Sequence, residues 1–288
     1  MNVLVTVDSH LRFDPHQLSD EALGYLMLAL GAISDPEDPD PANIIHLFGM
    51  DDSRRVTLPR GFAWKLRHGL RKLGYTITWD GQRVSTERVP ASPVLDLRHY
   101  QQKAEGRMIA NQQGIYEAPP GSGKTTTGCH MIDQIGMRSL VILDKINIVT
   151  QWREEYENVC GKPSGQIGDG VNDPQWVTFT TRQGLWVMRE QLKLSGFFQQ
   201  WGLVGLDECH GISSPTTREM IQWFPAKYRF GFSATPDRAD WLSLVSRSMI
   251  GEIVCRTSYK ELEDAGVLVM PKVVAIKTPF FYPWKERL

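Results

Sequence analysis

Three short strings in this chain bring together residue types that do phosphate chemistry. The first is Ala118-Pro119-Pro120-Gly121-Ser122-Gly123-Lys124-Thr125, between an apolar run ending at Glu117 and a segment with helical spacing. Gly121 and Gly123 can take the positive-φ backbone that converges amide hydrogens on one anion, and the next helix adds its partly positive N-terminus. Lys124 is placed to reach β- and γ-phosphates and Thr125 to hold Mg²⁺, with Pro120, Ser122 and Thr126 in the same loop. Ala118 stands where the usual pattern opens with glycine. A glycine-rich turn that only caps a helix is the plainer alternative.

The second string, Asp207-Glu208-Cys209-His210, closes an apolar run over residues 203–206. That is the context a magnesium-holding acid needs: Asp207 suits Mg²⁺, and Glu208 suits polarising the water that attacks a γ-phosphate. Two turn carboxylates are the alternative, and the phosphate loop upstream favours the catalytic reading. The third string, Ser233-Ala234-Thr235-Pro236, follows an apolar run over 228–232.

The elements that must position these strings alternate. Residues 102–111 pattern as a helix, 114–118 as a strand, 139–143 as a continuous apolar strand and 146–159 as a helix with Val149, Trp152, Tyr156 and Val159 on one stripe. A strand over 175–180 and a helix over 182–194 follow, and 259–265 and 272–276 read as a further helix and strand. Apolar strands separated by helices predict an α/β domain with a mostly parallel sheet covered on both faces. Ligands in such sheets sit at the carboxyl ends of the strands, where all three strings fall.

Residues 1–92 predict a separate small α/β (α+β) accessory domain. Residues 1–7, 44–48, 56–58 and 75–79 read as strands, 18–32 as a helix with Leu23, Leu26, Met27 and Leu30 inward, and 62–73 as a helix with Leu66, Leu70 and Leu73 inward. Residues 35–41, rich in proline and carboxylate, read as a solvated loop, and 84–94 as the domain boundary. No carboxylate occurs between Ser53 and Trp79, where Arg54, Arg55, Arg60, Lys65, Arg67, Arg71 and Lys72 accumulate. Lys65, Arg71 and Lys72 fall away from the leucine stripe, which gives either a phosphate-binding face or an ordinary solvated one.

With 288 residues the chain can bury one full α/β core and carry a smaller domain. Its net charge of -1 means that a nucleic-acid partner must be held by a local patch. Four cysteines spread singly, histidines without ligand spacing and no long apolar stretch predict a reducing, cytoplasmic setting without a transition-metal site or membrane span.

Taken together, the loop at 118–125, the Asp207-Glu208-Cys209-His210 string and the 233–236 string resemble motifs I, II and III of superfamily 2 helicases, and within them the group of XPB, RecG and phage UvsW. The run Leu97-Arg98-His99-Tyr100-Gln101 resembles the adenine-reading element of that superfamily. The resemblance implies a RecA-like P-loop NTPase domain over 93–277, using ATP and Mg²⁺, with Lys124 and Glu208 catalytic and Thr125 and Asp207 on the metal. It implies Gln101 on the adenine edge, Tyr100 or Arg98 on its ring, and His210, Ser233 and Thr235 coupling nucleotide state to motion.

By the same resemblance, Lys145, Thr180 and Arg182 contact a nucleic-acid backbone, DNA favoured, although Asp144 replaces a proline common in the group. A short strand, a basic turn, P-x-G-F, a basic helix and G-Y in the first domain also resemble that group, extending the expected contacts to Arg54, Arg55, Lys65, Arg71 and Lys72. A motor of this type hydrolyses ATP between two RecA-like domains. Nothing after Pro236 reads as G-R-x-x-R, so the second domain is expected from elsewhere in the protein or from another chain, with 278–288 as a tail toward it. The implied activity is DNA remodelling in recombination, repair or replication. A duplex translocase or annealing motor, or a binding module with a vestigial ATPase, are the alternatives.

Overall fold

The computed structural model describes residues 1–30, 32–33, 44–234 and 242–268. The expected loop at 35–41, the coupling residue Thr235, the strand at 272–276 and the tail at 278–288 lie outside them. Among the described residues no helix is long and apolar enough to cross a membrane.

The first 81 residues build a five-stranded sheet. Its strands are β1 (Asn2–Val7), β2 (His10–Phe13), β5 (Gly49–Met50), β6 (Val56–Pro59) and β7 (Thr76–Gly81), ordered β5-β6-β2-β1-β7, while β3 (Ala32–Ile33) and β4 (Ile45–His46) pair separately. Two helices accompany it, α1 (Asp20–Leu30) and α2 (Ala63–Lys72). Leu66 and Leu70 are fully buried, as their spacing predicts, whereas Met27 is 49% exposed. On α1 the inward stripe runs through Ala22, Leu26 and Leu30, steps of four that leave Met27 beside the contact face.

The second sheet has eight strands. In chain order its elements are α3 (His99–Asn111), β8 (Gln113–Glu117), α4 (Lys124–Ile135), β9 (Ser139–Leu143), α5 (Ile146–Cys160), β10 (Gly165–Gly168) and β11 (Val171–Asp173). Then come β12 (Val177–Thr181), α6 (Arg182–Leu194), β13 (Leu203–Asp207), α7 (Pro215–Ile221), β14 (Tyr228–Ser233), α8 (Leu242–Met249), β15 (Ile253–Arg256) and α9 (Tyr259–Asp264). The order is β11-β10-β12-β9-β13-β14-β8-β15, parallel throughout except for β11. Every residue of β9 is buried, as its unbroken apolar run requires of an interior strand. Helices α4 and α5 end on Gly136 and Gly161, both left-handed, which is the usual way such a helix turns back toward the next strand.

One face of this sheet packs Ala104, Met131, Ile132, Val149, Trp152 and Tyr156 over Val141, Phe179 and Phe232. The other face, with Leu140, Ile142 and Leu206, joins Phe197, Phe198, Trp201 and Phe224 in a core continuous with Val3, Leu11, Phe13 and Leu66 of the small sheet. The two sheets therefore share buried apolar surface. At the seam Arg60 and Arg229 are fully buried. Arg60 donates to the carbonyls of Ala226, Lys227 (2.7 Å) and Asp8 (3.4 Å) and to Gln113 Oε1 (2.7 Å). Arg229 donates to the carbonyls of Phe224 (2.7 Å), Met249 (3.0 Å) and Ser9 (3.3 Å).

Gly61 next to Arg60 approaches α8 so closely that a Cβ would lie 2.2 Å from the Arg247 carbonyl. The P-x-G-F run thus marks a docking point in which only glycine fits. Residues 84–94, patternless in sequence, are strapped to the large sheet: Val84 bridges Ala226, Arg88 bridges Met137, and Val94 N–H donates to the Val159 carbonyl (2.8 Å).

Candidate functional site

The phosphate loop leaves the end of β8, and the acidic string leaves the end of β13. Between these strands lies β14, in register with both: Asp207 is level with Phe232, and Phe232 with Tyr116. Two strand spacings, about 10 Å, separate the backbones, so both strings stand on one rim. The strand end between them carries Ser233.

Gly121 and Gly123 have φ of +78° and +76°, and Gly123 opens α4 as its N-cap. The loop backbone is braced from beneath. Tyr100 donates its hydroxyl to the Ser122 carbonyl (2.9 Å), and Gln101 Nε2 donates to the Gly123 carbonyl (3.3 Å) while its Oε1 accepts from Arg98 N–H (2.9 Å). The positive φ favours glycine at 123, and a Cβ there would also meet Gln101 Nε2 at 2.6 Å and push that side chain aside. Tyr100 is buried and both polar ends of Gln101 bond to backbone, so the adenine-reading roles expected of them would require Gln101 to exchange these partners. Arg98 remains exposed beside them. The Thr126 hydroxyl donates to the Glu155 carboxylate, away from the loop, and Thr125 is half-buried.

Lys124 Nζ donates to the carbonyls of Ala118 (2.7 Å) and Pro119 (3.4 Å). Burial pushes its pKa down, and the nearby Glu208 and Asp207 charges act against that. Ser122 Oγ is buried with no hydrogen-bond partner. A loop with an unsatisfied inward hydroxyl, two left-handed glycines and an ammonium folded onto its own carbonyls suits a phosphate group.

Burial raises the pKa of Asp207, opposed by the Trp152 indole N–H that donates to Asp207 Oδ2 (3.1 Å). Glu208 is held below the usual carboxylate range, first by its hydrogen bond with His210, against partial burial. His210 Nδ1 lies 3.1 Å from Glu208 Oε2 and 3.3 Å from Ser233 Oγ, so the imidazole spans the acidic string and the end of β14. Glu208 adopts φ +46°, rare for a residue with a side chain. Arg182 holds that turn, donating from Nη2 to the carbonyls of Asp207 (2.8 Å) and Glu208 (2.9 Å), with Nη1 3.4 Å from Asp144 Oδ1.

Other expected contact residues divide by exposure. Lys145 is exposed and lines a groove of about 680 Å³ with Asp144, Thr181, Gln183 and the Gly168–Val171 turn. Thr180 is fully buried, and the threonine at that strand end is Thr181, whose hydroxyl accepts from Gly184 N–H and caps α6. Residues 177–180 of this interior strand are all buried, and the end of the strand lies one residue later than its apolar run suggests. In the small sheet Arg54, Arg71 and Lys72 are exposed. Arg55 is paired to Asp51 (2.9 Å), Lys65 lies over the Phe62 ring (5.3 Å), and Arg60 belongs to the buried seam. Sequence pattern missed the β10–β11 hairpin and the bracing role of Arg182. Two left-handed glycines around Asp169 were the only local signal for the hairpin.

The raised pKa of Asp207 has a consequence for stability. Because the folded value lies above the unfolded one, the cost of burying the charge is present at neutral pH and disappears as pH falls below both values. Asp207→Asn is therefore expected to raise Tm at pH 7 by about 2 °C or more, with no gain near pH 3, in paired thermal melts. A lower Tm at pH 7 would show that the carboxylate stabilises the fold.

A parallel α/β sheet with a lysine-bearing loop and an acidic pair on one rim defines a P-loop NTPase domain of the RecA-like kind. Residues 94–238 match the family described as Type III restriction enzyme, res subunit, and the chain belongs to that family. It is 29% identical over 168 residues to the DNA 3'-5' translocase XPB2 of Sulfurisphaera tokodaii, covering 58% of this chain and 37% of that protein. It is 28% identical over 193 residues to the DNA 3'-5' helicase XPB of Mycobacterium tuberculosis, covering 63% and 34%. The structure of the UvsW helicase from bacteriophage T4 shares the fold, with TM-score 0.65 and 17% identity over 88% of this chain and 100% of that one. The family match and these relatives agree with the resemblance to superfamily 2 helicases, and the likeness to UvsW, at 17% identity, is one of fold. The chain spans 40% or less of the length of the first curated relatives it matches.

Proposed function

We propose that this chain is a motor lobe with its accessory domain from an ATP-dependent DNA helicase or translocase of superfamily 2, coupling ATP hydrolysis to the remodelling of duplex or branched DNA. The observation that carries the reading is the common rim of the Lys124 loop and the Asp207-Glu208 pair. The names of the relatives favour DNA.

In this reading Gly121, Ser122, Gly123 and Lys124 bind the β- and γ-phosphates, and Thr125 and Asp207 hold Mg²⁺. When bound, the metal supplies charge neutralisation between phosphate oxygens. Glu208, its ionised form favoured by His210, orients the attacking water and accepts its proton. Lys124 moves from its own loop carbonyls to the nucleotide, exchanging neutral acceptors for anionic ones. Tyr100 and Gln101 keep the loop in shape, and Arg98 is the exposed side chain available to stack on adenine. Glu208 keeps 44% of its side chain exposed on an open rim, which supports a second RecA-like lobe closing over it with an arginine. His210 and Ser233 relay that closure, with Thr235 beyond them.

DNA backbone contacts fall on two surfaces. Lys145 and the strand-end groove beside it form one, with Thr181 in the place expected of Thr180. Arg54, Arg71 and Lys72 form the other, with Lys65 and Arg55 at its margin. Arg182, which follows the strand end at Thr181, links it to the carbonyls of the acidic pair.

Binding of forked and duplex DNA by the chain, measured across salt concentration, tests this. Lys145→Ala is expected to flatten the slope of log affinity against log salt by about 1, and Arg71→Ala with Lys72→Ala by about 2. Unchanged slopes in both variants would remove these surfaces from the DNA path.

A further inference from the structure

A second groove, of about 610 Å³, lies at the seam between the two sheets, at the end of β8 opposite the phosphate loop. One wall comes from the small domain, with Ala63, Trp64, Lys65 and Arg67 of α2 and Trp79 of β7. The other comes from Asn111, Gln113, Glu252 and Val254. None of these residues belongs to the nucleotide site, and the lysine and arginine are the only ones the charge pattern singled out.

Two features give the groove a chemistry. Trp64 is 61% exposed and Trp79 37% exposed, so two large π-surfaces face solvent within one concavity. Exposed tryptophans on a domain this well packed are costly unless something covers them. The Trp64 ring already stacks on His68 at 5.2 Å and 4° between planes, which fixes its orientation while 61% of the residue stays exposed. Lys65 and Arg67 supply cations on the same wall, within the 53–79 stretch that contains no carboxylate. The single acid of the groove, Glu252, stands on the opposite wall within 3.9 Å of Arg247.

Two exposed planar faces beside two cations fit a base and its phosphate better than a peptide. A base inside a duplex cannot present its face, because its neighbours in the stack cover both sides. We infer that this groove seats an unpaired nucleotide of single-stranded DNA, its base stacked on Trp64 beside Trp79 and its phosphate held by Lys65 and Arg67. The inference rests on the reading of the chain as a DNA motor and adds to it a strand-selective site outside the ATPase rim. Stacking on an indole is tolerant of sequence, so the site discriminates unpaired from paired DNA and not one base from another. Its place on Arg60's side of the seam also ties the captured strand rigidly to the motor sheet, since Gln113 both lines the groove and accepts from Arg60.

The test uses the 288-residue chain and three fluorescent probes: a short oligo-dT, the same oligomer with abasic sugars throughout, and a blunt duplex. Oligo-dT is expected to bind and quench tryptophan emission, and the abasic oligomer to bind about tenfold more weakly. Trp64→Ala should weaken oligo-dT binding by roughly tenfold or more and leave duplex binding within about twofold, while Trp64→Phe keeps most of the affinity. An unchanged Tm shows that the exposed substitutions leave the fold intact. Equal binding of abasic and normal oligomers, or an unaffected Trp64→Ala, overturns the stacking site. An unaltered chain that binds the duplex but not oligo-dT overturns the groove alone. Absence of both, with nucleotide binding intact, overturns the DNA-motor reading together with it.

Discussion

Glu208→Gln is expected to lower DNA-stimulated ATP hydrolysis by roughly 10²- to 10⁴-fold while leaving Mg-nucleotide affinity within a few-fold. The carboxylate is placed by three independent contacts. Arg182 clamps the backbone on either side of it, His210 holds its side chain, and the left-handed turn at φ +46° lifts it off the end of β13. The His210 hydrogen bond favours its ionised form, the state a proton acceptor needs. Glutamine keeps the size and the hydrogen bond but cannot take up the proton. Phosphate and metal contacts assigned to Lys124, Thr125 and Asp207 are untouched, so binding persists. Phosphate release measured with a second RecA-like lobe present decides the matter, and undiminished turnover would remove Glu208 as the base.

The second large effect concerns the seam. Arg60→Ala is expected to cost about 3 kcal/mol or more in chemical denaturation, because it strips charged donors from buried acceptors and leaves a void. The buried carbonyl of Ala226, the partly buried carbonyl of Lys227 and the partly buried amide of Gln113 would each lose a partner. Burial pushes the Arg60 pKa well down, with Arg229 and Arg83 acting in the same direction, so its placement is paid for by hydrogen bonds to neutral groups. Arg60→Lys should recover only part of the loss, since one ammonium cannot span acceptors that a guanidinium forks across. Arg71→Ala, on the exposed face of the adjoining helix, should stay within about 0.5 kcal/mol. Equal midpoints for Arg60→Ala and Arg71→Ala would contradict a seam held by that side chain.

The large sheet was legible because interior parallel strands are continuous apolar runs and the helices between them carry clean stripes. The residues 139–143, 146–159 and 182–194 needed little beyond that pattern, and β9 and α6 match it residue for residue. The strings at 118–125 and 207–210 were legible for a different reason, since few chemistries need a lysine after paired glycines or two acids at a strand end. What pattern could not give was the partner of each polar group. Arg60 read as one more cation of a basic surface, yet its fold partners lie 52 to 167 residues away in sequence. Arg182, expected on DNA by the resemblance alone, closes on carbonyls 25 and 26 residues downstream, a contact that its spacing does not announce. Tyr100 and Gln101 face the loop they precede, a direction set by the turn into α3 and invisible in spacing. Long-range pairing of a charged side chain with backbone leaves no trace in local sequence.

The most direct test of the shared rim is a crystal structure of the chain soaked with magnesium and a non-hydrolysable ATP analogue. The account predicts the triphosphate across Gly121–Lys124, the metal between Thr125 Oγ1 and the Asp207 side, and Lys124 Nζ released from Ala118 and Pro119 onto the phosphates. Nucleotide bound elsewhere, or bound at the loop with Lys124 still on those carbonyls and Asp207 remote from the metal, would contradict it.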